Sequence, residues 1–385
     1  MDFELTEEQK LIQQTAREFA LEELEPVAAL LDSGEGHESF LENLRKLAEL
    51  GFMGLNISDD YGGSEAGTIA FSLTITEIAR ACASTAVTVS VNNMVNEVIE
   101  SLGTPAQKEK FISRVCSGES YAGAFALTEP GAGSDPAAMK TTAVKDGDSW
   151  VLNGTKIFIS SGTFAGVFVV WAVTDPQADK GKGISVFLVE PGTEGFTIGK
   201  SEKKMGQHGS PTNELIFQNC RIGEEALLGT VNDGYRIAIK ELAGGRIGIG
   251  SLGLGLGLAA MDYATRYVTE RTQFDRKLSD FQAIQWKIAD RYTELEAARL
   301  LLMNAAYRKD QGRSFAKEAS MAKVFATEAA NRACYDAVQM LGGYGYTADF
   351  PVERYARDAR ITTIYEGTSE IQRLIISRAI LSELT

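Results

Sequence analysis

The sequence predicts a mainly α-helical protein with a central β domain, on three observations. Apolar residues recur at helical spacing from the start to about residue 120, and again from about 233 to the end. Between these parts, short runs of β-branched and aromatic residues predict strands. With 385 residues, 44% of them hydrophobic, the chain has enough apolar sequence for a large core. We therefore predict three domains, over residues 1–120, 121–232 and 233–385.

The N-terminal domain is predicted to begin with a helix and to stay helical almost throughout. Thr6 and Gln9 have the spacing of a capping box, which satisfies free backbone N–H groups at a helix start. Apolar residues follow at helical spacing, at Leu11, Ile12, Ala16, Phe19 and Ala20. A Gly- and Asp-rich loop over 58–67 interrupts the pattern, and largely apolar helical sequence covers about 69–102.

The middle domain is predicted to be an antiparallel all-β module. Runs at 168–173, 184–189 and 214–217 are typical of short buried strands because they are rich in β-branched and aromatic residues. Turn signals separate such runs, at Asp146-Gly147, Asn153-Gly154 and Pro191-Gly192.

Helical spacing over 233–385 predicts a bundle. One apolar stripe, interpreted as bundle core, consists of Ile284, Ile288, Tyr292, Leu295 and Leu302. Gly248, Gly250 and Gly253 match the G-x-G-x-x-G dinucleotide fingerprint, which requires a preceding strand. Here the preceding segment, 237–242, is predicted to be helical, so we interpret the glycines as sites of close helix packing.

Charge and composition exclude several classes of function. The formal net charge of −14 repels phosphate backbones, so no nucleic-acid partner is predicted. The apolar runs are far shorter than the ~20 residues of a membrane span, so no membrane insertion is predicted. Two histidines leave little material for a metal site, and none is predicted. The four cysteines are widely spaced and are predicted to be reduced core thiols; with no visible signal peptide, a cytoplasmic location is expected.

Two segments are candidates for chemistry. In the first, over 125–135, a predicted strand is followed by a loop of small and hydroxyl-bearing residues. This loop either binds a phosphate through its free backbone N–H groups or is a simple turn that ends the strand. In the second, over 364–373, Ser369 and Gln372 are predicted to form a capping box for the last helix. Glu366 then lies just before that helix, either as a fixed general base or as a solvated acidic residue near a helix dipole.

Both segments resemble those of the acyl-CoA dehydrogenase family, in which the loop has the pattern T-E-P-x-A-G-S-D and the base lies in Y-E-G-T. The resemblance runs from Phe3 to Arg373, almost the whole chain. Further matching blocks are Asn153-Gly-x-Lys-x-x-Ile159, Glu270-Arg-x-Gln-Phe274, Phe281-Gln282, Gln339-x-Leu-Gly-Gly343 and Arg357-Asp358. The segments Ser90-Val-Asn-Asn93 and Gly244-Gly-Arg-Ile247 favour the short-chain, butyryl-CoA branch.

The resemblance implies a helical N-terminal domain, a central β-barrel and a C-terminal four-helix bundle, usually assembled as a homotetramer. It implies FAD between barrel and bundle, with part of each site supplied by a neighbouring subunit. It also implies that Glu366 removes the α proton of an acyl-CoA while the β hydride passes to flavin N5, which yields a trans-2-enoyl-CoA. The electrons are expected to pass to electron-transferring flavoprotein.

The resemblance further implies roles for individual residues. The residues expected to contact flavin and pyrophosphate are Phe125, Leu127, Thr128, Gly133, Ser134, Phe158, Ile159 and Ser160, completed by Thr368 and Glu370. Those expected to bind the FAD of a neighbouring subunit are Arg271, Gln273, Phe274, Phe281, Gln282, Gln339, Gly342 and Gly343. Those expected to face acyl-CoA are Ser134, Ala243, Arg246, Tyr365, Gly367 and Arg378. The thioester carbonyl is expected to receive a hydrogen bond from the backbone N–H of Glu366 and another from the flavin ribityl chain.

Several positions depart from the family pattern or bear on the substrate. Ala243 stands where most relatives have an Asp that contacts the pantetheine, Ser160 replaces a frequent Thr, and Asp275 replaces a Gly. Gly245 occupies the alternative position of the base, which leaves Glu366. Residues 83–98 contain no Arg or Lys, which argues against a dicarboxylic acyl group. The asparagines of that segment, Asn92, Asn93 and Asn96, either support a polar or cyclic acyl group or lie on the helix surface.

Two other functions stay open. An acyl-CoA oxidase would differ in the access of O₂ to the reduced flavin. A flavoprotein of the same fold that does not dehydrogenate acyl-CoA, such as a DNA-binding branch, is disfavoured by the charge of −14 and by the intact Tyr-Glu-Gly-Thr at 365–368.

Overall fold

The computed structural model describes residues 4–384, so Phe3, where the family-like sequence begins, lies outside the described residues. Helices precede and follow one β-sheet, which confirms the predicted fold class. The N-terminal helices are α1 Glu7–Phe19, α2 Glu25–Asp32, α3 His37–Glu49, α4 Gly67–Ala81, α5 Ala83–Leu102 and α6 Pro105–Cys116. The capping box of α1 is confirmed, because Thr6 and Gln9 exchange side-chain-to-backbone hydrogen bonds.

The asparagines of α5 are buried and serve the N-terminal domain itself. Asn92 and Asn96 donate from Nδ2 to the carbonyl oxygen of Met53 at 2.8 and 2.9 Å, and Asn93 accepts from the backbone N–H of Leu55. The expectation that these residues lie on the helix surface is therefore wrong, and the alternative, support of a polar or cyclic acyl group, stays a prediction. The structure uses their amides to pair backbone groups that burial would otherwise leave unsatisfied.

The middle of the chain forms one mixed sheet. Its strands are β1 Ala122–Ala126, β2 Thr142–Asp146, β3 Ser149–Ser160, β4 Ala165–Val173, β5 Ile184–Val189, β6 Phe196–Ser201, β7 Thr212–Gly223 and β8 Leu227–Leu228. The order is β6-β7-β3-β2-β4-β5-β8, with β1 against β4, and no described residues pair β6 with β8 to close a barrel. Because β4 runs parallel to β1 and, at one residue pair, to β2, the prediction of a wholly antiparallel module is wrong.

The predicted turn at Asn153-Gly154 is also wrong, since both residues lie inside β3. The ladder with β7 shifts register between Leu152 and Gly154, and the Oδ1 of Asn153 accepts a hydrogen bond from the backbone N–H of Asn219. A Cβ at Gly154 would lie 2.4 Å from Oγ1 of Thr141. The glycine therefore marks a bulge where two chain segments approach closely, which a turn signal imitates.

A long helix, α7 Gly234–Glu270, forms the centre of the C-terminal part. Gly248, Gly250 and Gly253 lie inside it, which confirms that they are not a dinucleotide fingerprint. It is also the one helix among the described residues that is long and apolar enough to cross a membrane. Because 78% of its apolar window is buried inside the protein, its composition is that of a core helix.

Within the described residues, four further α-helices and a small hairpin complete the fold around α7. These elements are the hairpin β9 Thr272–Gln273 and β10 Arg276–Lys277, then α8 Gln282–Asp310, α9 Ala316–Leu341, α10 Val352–Arg360 and α11 Ser369–Ser382. Leu295 and Leu302 of α8 are buried, and Ile284, Ile288 and Tyr292 are partly buried, as predicted for bundle core. The four cysteines are free and buried, which confirms them as core thiols.

Trp171 connects the sheet to the bundle. Its side chain is fully buried in β4, and Nε1 donates to the carbonyl oxygen of Gly234, the first residue of α7, at 2.8 Å. Phe125 of β1 packs on the same indole with ring centroids 4.3 Å apart. Because a buried indole N–H needs an acceptor, this bond fixes the start of α7 beneath the end of β1.

We predict that Gly255 and Gly253 of α7 respond differently to alanine. A Cβ at Gly255 would lie 2.3 Å from the carbonyl oxygen of Thr76 in α4, whereas at Gly253 the nearest atom is 3.3 Å away. Gly255→Ala should lower the free energy of unfolding by about 1–3 kcal/mol through overpacking. Gly253→Ala should be neutral or stabilise by up to about 1 kcal/mol, because alanine favours helix. Urea unfolding measures both, and equal midpoints for the two variants would contradict this account of α7.

Candidate active site

A buried ion pair anchors the loop that follows β1. Lys156 of β3 donates from Nζ to Oε1 of Glu129 at 2.8 Å and to the carbonyl oxygen of Leu127 at 3.1 Å. Glu129 also accepts hydrogen bonds from the backbone N–H groups of Lys140 and Thr141. The loop is thus held to the sheet at its base by a carboxylate that uses both oxygens.

Both members of this pair are charged at neutral pH. Burial lowers the pKa of Lys156 to about 8, and the carboxylate of Glu129 opposes that fall. Burial also works against ionisation of Glu129, but Lys156 and the hydrogen bonds hold the pKa of this carboxyl below its usual value. Each charge therefore offsets the cost of burying the other.

The outer edge of the same loop is open. Glu129 and Ala132 exchange backbone hydrogen bonds and close a tight turn. Beyond that turn Gly133 and Ser134 are exposed, and no described residue accepts from their backbone N–H groups. The loop therefore combines the two expected features, a strand-ending turn and free donors of the kind that bind phosphate oxygens.

Phe158 lies beside this loop in a strained conformation. Its φ is +58°, at a break in the register of β3 with β7, and its ring is 59% exposed. The backbone N–H of Ile157 donates to the carbonyl oxygen of Thr128 at 2.9 Å and so joins β3 to the loop. The left-handed backbone of Phe158 is strained, and its exposed aromatic ring is unfavourable in water. Both costs are typical of a residue that contacts a ligand.

Two of the predicted flavin-contacting residues of β1, its loop and β3 are buried. Leu127 is 6% exposed and Ile159 is 1% exposed, so a ligand can reach little of either residue. Phe125 and Thr128 are partly buried, Ser160 likewise, and Gly133 and Ser134 are exposed. The structure thus brings all eight predicted flavin-contacting residues of β1, its loop and β3 together, with side chains of unequal access.

A second part of the site is the loop before α11. Glu366 and Gly367 have φ of +52° and +90°, so two consecutive residues are left-handed. Gln372 holds this turn by donating from Nε2 to the carbonyl oxygens of Glu366 and Gly367 at 3.2 and 2.9 Å. Thr368 is the N-cap, because its Oγ1 accepts from the backbone N–H of Ile371, so the predicted cap at Ser369 is wrong by one residue.

The Glu366 carboxyl lies against α7. A Cβ at Gly245 would be 2.0 Å from Oε2 of Glu366 and 2.8 Å from Sδ of Met94, so only glycine leaves room there. Oε2 is buried and has no hydrogen-bond partner among the described residues. The backbone N–H of Glu366 likewise has no acceptor within the described chain. An unpartnered carboxyl and a free N–H on one residue can take a proton from a ligand and polarise its carbonyl.

Two buried cations face this carboxyl. Lys323 of α9 donates from Nζ to the carbonyl oxygen of Gly367 at 2.8 Å. Arg246 of α7 is 4% exposed, its Nε has no partner among the described residues, and Nη1 lies 3.5 Å from Oγ of Ser320. Burial raises the pKa of Glu366 to about 7, against the opposing effect of Lys323 and Arg246. Burial lowers the pKa of Lys323 to about 8.

Tyr365 ties the Glu366 loop to the sheet domain. Its hydroxyl accepts from Nε2 of Gln207 at 3.2 Å, and the backbone N–H of Gln207 donates to the carboxyl of Asp358 in α10. Burial raises the pKa of Asp358 to about 6. The loop that carries Glu366 is therefore positioned by residues of both the sheet and the bundle.

The remaining predicted substrate and cofactor residues are spread along the bundle. Ala243 is buried at 3% exposure, two residues before Gly245 on α7. Glu370 and Arg378 are exposed on α11. Arg378 lies nine residues beyond the start of α11, or roughly 14 Å along its axis, and is not at the Glu366 carboxyl.

A third cluster lies at the other end of α7. It contains Arg271, Gln273, Phe274, Phe281, Gln282, Gln339, Gly342 and Gly343, around the hairpin and the end of α9. Phe274 is 88% exposed and left-handed, as is Asp275 at φ +60°, and the Arg271 guanidinium lies 5.7 Å from the Tyr344 ring centre. Along α7 this end is roughly 37 Å from Arg246, so one flavin cannot touch both ends through the same chain.

Comparisons with known proteins agree over the whole chain. Family models for the acyl-CoA dehydrogenase N-terminal, middle and C-terminal domains match residues 6–119, 124–220 and 232–381. The chain is 46% identical over 384 residues to "Acryloyl-CoA reductase (NADH)" of Anaerotignum propionicum, covering 99% of this chain and 96% of the relative. It is 44% identical over 378 residues to the short-chain specific acyl-CoA dehydrogenase of Clostridium acetobutylicum, covering 98% and 99%.

The chain belongs to the acyl-CoA dehydrogenase family.

Solved structures of other acyl-CoA dehydrogenases share the fold. Butyryl-CoA dehydrogenase from Megasphaera elsdenii superposes with a TM-score of 0.94 at 40% identity, covering 99% of this chain and all of that one. A chain described with the electron transferring flavoprotein of Acidaminococcus fermentans superposes with a TM-score of 0.95 at 43% identity. The match covers 99% of this chain and all of that one. An acyl-CoA dehydrogenase from Bacillus anthracis, complexed with FAD, superposes with a TM-score of 0.92 at 31% identity. The match covers 99% of this chain and 68% of that one.

Three side chains of this acyl-CoA dehydrogenase were not singled out from the sequence: Lys156, Glu129 and Lys323. The sequence signal that could have identified them is a charged residue at a position where the apolar pattern places side chains in the core. Lys323 shares the buried face of α9 with Ala319, Ala326 and Ala330, at helical spacing. A lysine is almost never fully buried without a partner, so its position on an alanine face indicates a functional or paired group.

We expect Lys156→Met to cost about 3–5 kcal/mol of unfolding free energy, because Glu129 would stay buried without its cation. The control is Lys145→Met, which removes an ion pair to Glu224 that is largely exposed and should cost at most about 1 kcal/mol. The double variant Lys156→Met/Glu129→Gln removes both buried charges and should recover part of the loss. Chemical unfolding of the flavin-free proteins measures all three, and equal losses for Lys156→Met and Lys145→Met would refute the anchoring role.

Proposed function

We propose that this protein catalyses the FAD-dependent α,β-dehydrogenation of a short-chain acyl-CoA, with Glu366 as the catalytic base. The observation that carries the proposal is the buried, unpartnered carboxyl of Glu366, fixed in a left-handed turn. The similarity of the chain to short-chain acyl-CoA dehydrogenases supports the reaction class. The alternative of a solvated acidic residue does not account for the buried oxygen.

Glu366 takes the α proton of the thioester. With a pKa of about 7, its carboxyl is half ionised at neutral pH and binds a proton strongly enough to accept one from carbon. Its free backbone N–H donates to the thioester carbonyl and stabilises the negative charge that develops there. Gly245 leaves space for the carboxyl to face the substrate from α7.

The cofactor is FAD, which when bound accepts the hydride from the β carbon. The fit rests on the exposed, left-handed Phe158, which offers a flat apolar surface to a flavin ring. The free N–H groups of Gly133 and Ser134 suit its pyrophosphate. The ion pair of Lys156 and Glu129 ties the loop that carries Gly133 and Ser134 to β3, the strand that carries Phe158.

The cluster around Phe274 serves the FAD of a neighbouring subunit in a homotetramer. Two facts support this assignment: its separation from the Glu366 end of α7, and its large exposed aromatic rings, Phe274 at 88% and Tyr346 at 87%. Arg271 and the open glycines Gly342 and Gly343 supply a cation and free space for a phosphate-bearing ligand.

Electrons pass to electron-transferring flavoprotein. Support comes from the likeness to a chain described with that protein from Acidaminococcus fermentans. A second candidate is the reverse reaction, reduction of a 2-enoyl-CoA, because a relative named as an NADH-dependent acryloyl-CoA reductase is 46% identical. Glu366 would then give its proton to the α carbon, which a pKa of about 7 also permits.

Glu366→Gln should keep FAD and acyl-CoA binding but reduce turnover by about 100-fold or more, since an amide cannot accept the α proton. In the wild type, the rate of anaerobic flavin bleaching should fall as pH drops through about 7, because protonation removes the base. Glu296→Gln, at an exposed glutamate of α8, is the control and should match the wild type. More than about a tenth of wild-type turnover in Glu366→Gln would exclude this base.

The acyl group is expected to be branched or cyclic with about five to seven carbons. Most relatives have at this position an Asp that accepts a hydrogen bond from the pantetheine, worth roughly 1.5–3 kcal/mol, and Ala243 cannot accept it. We propose that a bulkier acyl group compensates; the alternative is that Arg246 and ordered water do so with plain butyryl-CoA. We expect higher kcat/KM for 2-methylbutyryl- or cyclohexanecarboxyl-CoA than for butyryl-CoA, and a changed ratio in Ala243→Asp. A preference for butyryl-CoA with unchanged ratios would make Ala243 neutral. Hydrogen peroxide formed at each turnover in air would instead assign an oxidase.

A further inference from the structure

Lys323 is a buried lysine that the reaction described above does not use. Its side chain has no exposed surface, and the one acceptor that the described residues offer to Nζ is the carbonyl oxygen of Gly367. An ammonium has three donors, so two of them have no described partner. Burying such a group is costly unless its charge interacts with another group.

The hydrogen bond to Gly367 does not by itself explain a charged side chain. Gln372 already donates to the same carbonyl oxygen from a neutral amide, at 2.9 Å. A second neutral donor on α9 would therefore hold the turn as well. The charge of Lys323 acts on the group next to this turn, the carboxyl of Glu366.

Lys323 reaches the turn without capping the carboxyl. Neither Lys323 nor Arg246 forms an ion pair with Glu366 in the described structure, and Oε2 stays without a hydrogen-bond partner. A direct ion pair would occupy the oxygen that must take the proton. A cation one peptide group away keeps that oxygen free and still favours the ionised form.

We propose that Lys323 is a positioning residue for the base: held at the Gly367 carbonyl, its charge favours the ionised form of Glu366 without a contact to the carboxylate. This inference rests on the proposed function of Glu366. It assigns separate tasks to two neighbours of one carbonyl, since Gln372 holds the geometry and Lys323 adds the charge.

Other charged groups face the same region and remain in place when Lys323 is changed. Arg246 of α7 and the Tyr365 hydroxyl lie near Glu366. Glu328 of α9 and Glu370 of α11 act on Lys323, and Glu328 is itself paired with Arg373 at 2.6 Å. Because Arg246 stays, loss of Lys323 should raise the pKa of Glu366 moderately and not abolish its ionisation.

The test compares Lys323→Met, which removes charge and donor, with Lys323→Gln, which keeps a donor but no charge. Lys317→Met is the matched control, because Lys317 is on the same helix and pairs with Glu383 near the chain end. Anaerobic flavin reduction by the best acyl-CoA is measured from pH 5.5 to 9.5. Both Lys323 variants should move the acid limb up by about one pH unit, which makes reduction about five-fold slower at pH 7 and nearly normal at high pH.

A second readout does not depend on turnover. Infrared titration follows the protonated carboxyl band that disappears in Glu366→Gln, and its midpoint should rise in both Lys323 variants but not in Lys317→Met. Unchanged midpoints together with lower flavin content or melting temperature would overturn the proposal and leave Lys323 as a tie between helices. If no acyl-CoA bleaches the wild-type flavin, the proposed function fails, and the infrared midpoints still decide the role of Lys323.

Discussion

The close approach that glycines allow along α7 is the constraint on which the rest of the structure depends. At Gly255 the helix lies against the backbone of α4, at Gly248 against Ser90 of α5, and at Gly257 against α8 and α9. At Gly245 the neighbour is the carboxyl of Glu366. The same device therefore packs the core and positions the candidate base, because any side chain at these positions would separate the elements that meet there.

The charges around Glu366 are arranged by distance and not by direct pairing, in contrast to the anchoring ion pair of Lys156 and Glu129. Lys156 and Glu129 form a contact pair and serve as an anchor, since both can stay ionised permanently. As the proposed base, Glu366 changes protonation in each cycle, so a contact pair would hold it in the ionised state. An isolated buried carboxyl would be held in the other, protonated state. Cations that are close but not in contact place its pKa near neutrality, where either state is accessible.

The sequence was sufficient for features that local pattern controls. The order of helices and strands, the helical nature of the Gly248–Gly253 motif and the place of Glu366 before α11 all follow from periodicity and spacing. It failed where long-range contacts decide. The bulge at Gly154 depends on the close approach of Thr141. The parallel pairing of β1 with β4 depends on the topology of the chain. The burial of the α5 amides depends on the backbone groups near Met53 that they pair with. Lys323 belongs to the second class, because its role exists only through the turn it meets.

The geometry around Glu366 also bears on the direction of the reaction. As the proposed base, a carboxyl with a pKa of about 7 can take a proton from the substrate in dehydrogenation or give one to it in reduction. Consistent with this, relatives named as a dehydrogenase and as a reductase have nearly the same identity to the chain, 44% and 46%. The protonation of Glu366 therefore does not by itself set the direction of the reaction, which depends on what exchanges electrons with the cofactor.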